Sequence, residues 1–247
     1  MRKPLALVVG GTKGLGLAIS RALVRDGNDV VALARNPSPG LDAIPGAAWV
    51  AADLHDRVAL CEALERVVAE RGPIQHVVLS QRYRASGDPW DGELAVTLTA
   101  SHAIVEFAKD HFAADGDKSI VAVSSVFGSF VGDGQPAAYH VAKAGLAQLI
   151  RYYAFTLGPR GIRANTVSPC TFLKDETRHF VEQNVPLMGL YRDFVPLGRP
   201  GTANDTAEVV AFLCSPRAGY VTGQELIIDG GLGGVWSEGM LRRQAKV

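Results

Sequence analysis

A tyrosine and a lysine stand one helical turn apart in Tyr139-His140-Val141-Ala142-Lys143. At i and i+4 they share one helical face, so both side chains can reach the same pocket. A free tyrosine ionises near pH ~10 and is a poor acid or base at neutrality. A neighbouring ammonium stabilises the phenolate and brings the group toward the working range. Upstream, Ser124-Ser125 closes an apolar run, and a hydroxyl there can hydrogen-bond a carbonyl oxygen while the phenol protonates it. The chain opens on a glycine-rich turn, Gly10-Gly11-Thr12-Lys13-Gly14-Leu15-Gly16. Gly10, Gly14 and Gly16 permit tight turning and let a pyrophosphate approach the amides at a helix N-terminus. Together the pieces describe hydride transfer: a phosphate cradle, a proton donor and a cation that tunes it. Alone, each is weak. Y-x-x-x-K arises by chance in many helices, and G-x-x-x-G-x-G can be any tight strand–helix turn.

The choice of dinucleotide rests on charge at the end of the second apolar run. A carboxylate there would accept from the ribose 2′-hydroxyl of NAD and repel the 2′-phosphate of NADP. Val30-Val31-Ala32-Leu33-Ala34 instead ends in Arg35, and Lys13 in the glycine turn can point to the same place. Two cations without a carboxylate favour NADP(H), against the plainer reading of two solvated surface charges. Asp53-Leu54 follows the third run; Asp53 either accepts from an adenine amino group or caps a helix beginning near His55.

These residues need elements to position them. Apolar runs at Leu5–Val9, Asp29–Ala34, Ala48–Ala51, His76–Leu79, Ser119–Val123, Ile162–Val167 and Glu225–Ile228 read as strands covered on both faces. Helical patterns at Leu15–Arg25, Arg57–Arg71, Asp91–Phe112, Tyr139–Leu157 and Asn204–Leu213 alternate with them. Such alternation predicts successive βαβ units: one α/β domain over residues 1–247, a Rossmann-like doubly wound parallel sheet of about seven strands. Residues 170–200 break the rhythm, mixing aromatic and charged side chains. They form either an active-site lid or a surface helix pair. The tail, 232–247, either reaches a neighbouring copy or is disordered.

The 247 residues carry 25 basic and 25 acidic side chains, so charge balance suggests neither a nucleic-acid groove nor an anionic membrane as partner. Cys61, Cys170 and Cys214 lie in no metal-type spacing, and an odd, scattered set suits a reducing compartment. No metal is expected. The apolar run after Pro4 is too short for a signal sequence or a membrane span, so a cytoplasmic location is expected.

In this order the motifs resemble the short-chain dehydrogenase/reductase family over nearly the whole chain. The resemblance takes in the glycine turn, Arg35, Asp53, the serine before a glycine-punctuated loop, Tyr139-x-x-x-Lys143 and Asn165-Thr166-Val167-Ser168-Pro169. It continues through Pro196-Leu197-Gly198-Arg199-Pro200 and Thr222-Gly223 to Asp229-Gly230-Gly231. It implies Tyr139 as acid/base, Ser125 (the serine three residues before Gly128) orienting the carbonyl, and Lys143 tuning Tyr139 and holding the nicotinamide ribose. It also implies cofactor contacts from Gly10, Thr12, Lys13, Gly14, Leu15, Gly16, Arg35, Asp53, Leu54, Ser80 and the Phe172 backbone. A small carbonyl or alcohol substrate follows, as does assembly, commonly into homotetramers, through helices Asp91–Phe112 and Tyr139–Leu157.

The chain also departs from the family. Asn-Asn-Ala-Gly after the fourth strand is replaced by Ser80-Gln81-Arg82-Tyr83, and the relay asparagine aligns with Thr97, with no asparagine between residues 37 and 164. Thr97 can hold a water through its hydroxyl with fewer donor and acceptor sites. Pro169-Cys170 stands for Pro-Gly, and the family's next threonine falls around Lys174. Arg82, Tyr83 and Arg84 either line the substrate side and favour a polar or anionic substrate, or extend to solvent and pair with Asp88. Cys170 reads as a small hydrophobe, and His102 and His140 as structural. The expected activity is an NADPH-dependent ketoreductase. The alternatives are a dinucleotide-binding regulatory or scaffold protein that has lost catalysis, and an isomerase or dehydratase using bound NADP.

Overall fold

The structure, a computed structural model, describes residues 3–84, 87–173 and 178–245. Seven strands form one parallel sheet: β1 (Leu5–Val9), β2 (Asp29–Ala34), β3 (Ala47–Ala51), β4 (Ile74–Leu79), β5 (Lys118–Val123), β6 (Ile162–Pro169) and β7 (Glu225–Ile228). Their spatial order is β3-β2-β1-β4-β5-β6-β7. The chain therefore winds outward from β1 in one direction and from β4 in the other. The switch between β1 and β4 opens a crevice at the strands' carboxyl ends, where ligands of open α/β sheets sit.

Alternation along each strand divides the core in two. Leu5, Leu7 and Val9 of β1 join Leu79, Ile120 and Ala122 on one face, while Ala6 and Val8 join Val78, Val121 and Val123 on the other. The first face is covered by α2 (Arg57–Arg71), a broken helix α3 (89–108) and α4 (Ala137–Leu157). The second is covered by α1 (Gly14–Arg25) and, later in the chain, Ala203–Leu213. Both faces being covered is what the continuous Val/Ile/Leu/Ala runs require.

Three expectations are corrected. The helix foreseen over 91–112 starts at Pro89, widens into a π-helix over Leu94–Thr99 and ends at Ala108. Beyond it the backbone is captured by the sheet: the Ile74 amide donates to the His111 carbonyl and the Ala113 amide to the Ile74 carbonyl. Asp53 does not cap α2; it accepts from the His55 amide, and Asp56 is the cap, accepting from Val58 and Ala59. The tail is not structureless, since Ser237–Ala245 is helical. Within residues 170–200 the chain forms helices Arg178–Gln183 and Val185–Phe194, and the position around Lys174 lies outside the described residues.

Candidate active site

The glycine turn is dictated by close approach. A Cβ on Gly16 would lie 2.0 Å from the Gly10 carbonyl oxygen, and Gly10 itself has φ +75° with Gln81 backbone packed against it. The first turn of α1 has no side-chain cap, so its amides are left for a ligand. Beside it lies a cavity of about 380 Å³. Its wall contains Gly10, Thr12, Lys13, Gly14, Leu15 and Gly16, then Arg35 and Asn36 after β2, Asp53 and Leu54 after β3, Ser80 through Arg84 after β4, and Phe172. Every residue expected to touch the cofactor, outside the tyrosine–lysine pair, thus faces this one cavity. At the β2 end the lining presents Arg35 and Asn36 but no carboxylate.

Tyr139 and Lys143 project from the buried side of α4. The Lys143 ammonium donates to the Val123 carbonyl at 2.8 Å and lies 5.7 Å from the centre of the Tyr139 ring. Burial drives Lys143 down to about 8, with Glu93 opposing the shift and Arg82 adding to it. The Arg82 guanidinium sits 5.1 Å from the centre of the same ring and donates to Gln135 Oε1 at 2.7 Å. Arg82 also lines the cavity, so it bridges the dinucleotide end and the tyrosine.

The two serines have separate tasks. Ser124 Oγ donates to the Lys143 carbonyl at 2.9 Å, tying β5 to α4. Ser125 Oγ accepts from the Phe127 amide at 3.2 Å and caps the short turn Val126–Gly128. Of the pair, Ser125 keeps its hydroxyl proton for another acceptor. Gly128 lets that turn press against α4, since a Cβ there would come within 3.2 Å of the Lys143–Ala144 peptide.

Thr97 does not face the cavity. It is buried in the π segment and donates to Glu93 Oε2 at 3.1 Å. Glu93, absent from the sequence reading, is itself buried. Only its lack of a cation at helical spacing hinted that it leaves the solvent face. Gln81, noted in the altered turn but given no role there, donates through its amide nitrogen to Ser101 Oγ at 2.7 Å and to the Val96 carbonyl at 3.3 Å. It thereby ties the end of β4 to the widened helix. Tyr83 is packed against Gly92, where a Cβ would fall 2.2 Å from its ring, while Asp88 is spent capping the Trp90 amide.

A second cavity, about 450 Å³, borders Val126 and Phe127 after Ser125. Tyr191, Val195 and Leu197 roof it and Cys170, Ile228 and Gly230 form its other wall. Residues 191–197 thus cover space next to Val126 and Phe127. Burial raises the Cys170 thiol, which keeps it from acting as a ready thiolate. His102 pairs with Tyr153 Oη at 2.7 Å, and His140 braces the loop at Gly132 and Pro136, both in supporting positions.

A family model described as enoyl-(acyl carrier protein) reductase matches residues 9–233. The chain is 31% identical to cis-4-hydroxycyclohexanecarboxylate dehydrogenase of Sinomonas cyclohexanicum, over 92% of this chain and 95% of that one. It is 30% identical to the 3-oxoacyl-(acyl-carrier-protein) reductase MabA of Mycobacterium tuberculosis, over 92% of each. The chain belongs to the short-chain dehydrogenase/reductase family. A dehydrogenase/reductase of Sinorhizobium meliloti 1021, 27% identical, superposes with a TM-score of 0.81 over 94% of this chain and 96% of its own. Short-chain dehydrogenase/reductase membership brings a carbonyl/alcohol oxidoreductase with a nicotinamide dinucleotide, without choosing between NAD and NADP. The residues fit such a group: the cradle excludes side chains at Gly10 and Gly16, the α1 amides are uncapped, and Gly14 opens onto free space. Among the described residues no helix is long and apolar enough to cross a membrane.

Proposed function

We propose that the protein is an NADP(H)-dependent ketoreductase interconverting a carbonyl and a secondary alcohol. The observation that carries this reading is the buried Lys143 ammonium beside the Tyr139 ring, with Arg82 reaching from that ring to a cavity whose β2 corner is cationic. Bound NADPH supplies the hydride. Ser125 donates to the substrate oxygen and holds it at Tyr139. Tyr139 gives its proton to that oxygen as charge develops there. Lys143 stabilises the phenolate left behind, in a water-poor site where such stabilisation is strong. The test is NADPH oxidation on a panel of ketones and keto acids, with NADPH and NADH affinities measured alongside. Tight NADPH binding without turnover on any of them favours a binding protein instead.

Arg35 and Lys13 support NADP(H), because both line the cavity and no carboxylate stands at the β2 end to repel a 2′-phosphate. The same argument extends to the substrate. Arg82 over Tyr139 places a second cation beside the reacting oxygen, with Arg84 also on the cavity wall. This favours a substrate with an anionic or strongly polar group, and the relative from Sinomonas is named for a substrate with a carboxylate. Replacing Arg82 and Arg84 by alanine should raise KM for such a substrate about tenfold, the loss of one charge-assisted hydrogen bond. An unchanged KM would refute the assignment. The roof formed by Tyr191, Val195 and Leu197 acts in this reading as the lid over the apolar part of the substrate.

A further inference from the structure

Where the family resemblance has alanine, this chain has Arg82, a side chain long enough to cross from the end of β4 to the tyrosine. Its guanidinium lies 5.1 Å from the centre of the Tyr139 ring, nearer than the Lys143 ammonium at 5.7 Å. The contact is held from both ends. The Ser80 amide donates to the Val9 carbonyl at 3.0 Å, and Gln81 is fixed by Gly10 against its backbone and by its bonds to Ser101 and Val96. The turn that carries Arg82 is thus clamped to β1 and to α3. On the far side, Gln135 Oε1 accepts from Arg82 at 2.7 Å, and Gln135 directly precedes Pro136, the residue that caps α4. Among the described residues no carboxylate pairs with Arg82, so its charge is left to act on the ring.

A cation over an aromatic ring is attracted by the negative ring face, and the flat guanidinium of arginine stacks there readily. Ionising the phenol adds a full negative charge to that ring system, so a cation in this place favours the ionised form over the neutral one. Tyr139 is 9% exposed, so water screens the pair less than on an open surface. The other titratable groups against the ring are Lys143 and His140, both from α4. His140 is engaged at both ring nitrogens, donating to the Pro136 carbonyl and accepting from the Gly132 amide. From the turn after Ser125, Phe127 faces the ring edge-on and carries no charge. Lys143 is buried and is driven down to about 8, whereas the exposed Arg82 avoids that desolvation and an arginine keeps its proton throughout the working range. Two cations of different kinds therefore flank the tyrosine: one that titrates and one that does not.

We propose that Arg82 is a second, permanent cation for Tyr139: stacked over the ring and anchored by Gln135, it stabilises the phenolate formed in each turnover. The inference rests on the ketoreductase reading above. It goes beyond the substrate contact given there to Arg82, because it acts whatever the charge of the substrate. In reduction the Tyr139 proton passes to the substrate oxygen, and Arg82 meets the phenolate left behind without gaining or losing a proton. In oxidation the phenolate takes the alcohol proton back, and the same contact keeps more of that base ionised at neutral pH.

Arg82→Met keeps a long side chain over the ring and removes the charge. The test is the ultraviolet absorbance of tyrosinate as pH is raised, with the curve of the matching Tyr139→Phe protein subtracted to isolate Tyr139. Lysine does not absorb there, so Lys143 leaves the signal untouched. In Arg82→Met the curve should move to higher pH by about one unit, about a tenfold change in the ionised fraction. Oxidation of an uncharged secondary alcohol such as cyclohexanol should slow about tenfold at neutral pH, with KM within about twofold of the parent. The acid limb of that rate should move to higher pH by the same step. Arg82→Lys, which keeps a charge, should restore most of the rate. Gln135→Leu, which frees Arg82 without removing it, should move the curve in the same direction by less. An unmoved tyrosinate curve in Arg82→Met overturns the proposal. A raised KM for the uncharged alcohol with an unshifted pH profile also overturns it, leaving Arg82 as a substrate contact. Should the parent turn over no carbonyl or alcohol, the ketoreductase reading fails, while the tyrosinate curve still decides for or against Arg82.

Discussion

At the residue scale, Lys143 is the buried cation of the candidate site, while Lys13, Arg35, Arg82 and Arg84 are exposed. Lys143 is held near 8 mainly by burial. Because its folded value lies below lysine's ordinary one, it is an ammonium below about pH 8 and an amine above. Reduction needs the charged form, so its rate should be level at neutrality and fall through about pH 8 and beyond. Oxidation of the alcohol, which needs the deprotonated pair, should rise over the same range. Initial rates in both directions between pH 6 and 10 check the sign; a reduction rate climbing with pH contradicts it. In the proposed reading Arg35 carries the cofactor preference. Arg35→Asp should weaken NADPH by about tenfold or more while leaving NADH little changed, as read by fluorescence titration.

At the element scale, the strands were legible because β1, β2 and β5 are largely apolar runs buried on both sides. The glycine turn and Tyr139-x-x-x-Lys143 were legible because their spacing is local. The broken helix was not. Its π segment depends on tertiary contacts, from Gln81 to Val96 and from Gly145 to Leu98, that no helical periodicity encodes. Glu93 was hidden for the same reason: on an unbroken helix it reads as one more acid. His76 shows the opposite case, a polar residue in a strand whose partner is fixed by register. It pairs with Ser119 across β4 and β5, and its ring nitrogen meets Ser119 Oγ at 2.9 Å. Burial holds His76 down to about 4. Its folded value lies below the ordinary 6.5, so its contribution to stability is complete above about pH 6.5 and is lost as pH falls toward 4. His76→Gln, which cannot take the charge, should flatten that limb in urea unfolding. An equally steep acid loss in the variant would show that other groups govern it.

At the scale of the whole molecule, the sheet order does the assembling. Winding outward from β1 and β4 brings the glycine turn, Arg35, Asp53 and Ser80 to one crevice although they are spread over 71 residues, from Gly10 to Ser80. β5 and α4 follow on the same side of the sheet, with Arg82 of the crevice wall over the Tyr139 ring, and Tyr191, Val195 and Leu197 line the neighbouring cavity beside Val126 and Phe127. The residues expected on the cofactor side sit on turns at strand ends, which is why the sequence could bring them to one cavity wall. The substrate side could not be read this way, because its walls come from helices whose packing decides which side chains face in. All of this arrangement has one chemical purpose in the present account, protonation of a substrate oxygen by Tyr139 during hydride transfer. The most direct measurement is a single turnover with NADPH deuterated at the transferred position, comparing the parent with Tyr139→Phe. The account predicts deuterium on the product alcohol carbon of the parent. It predicts a rate lower by about 10²–10⁴-fold in the variant, with NADPH affinity kept. Deuterium transfer at the parent rate in Tyr139→Phe would contradict it.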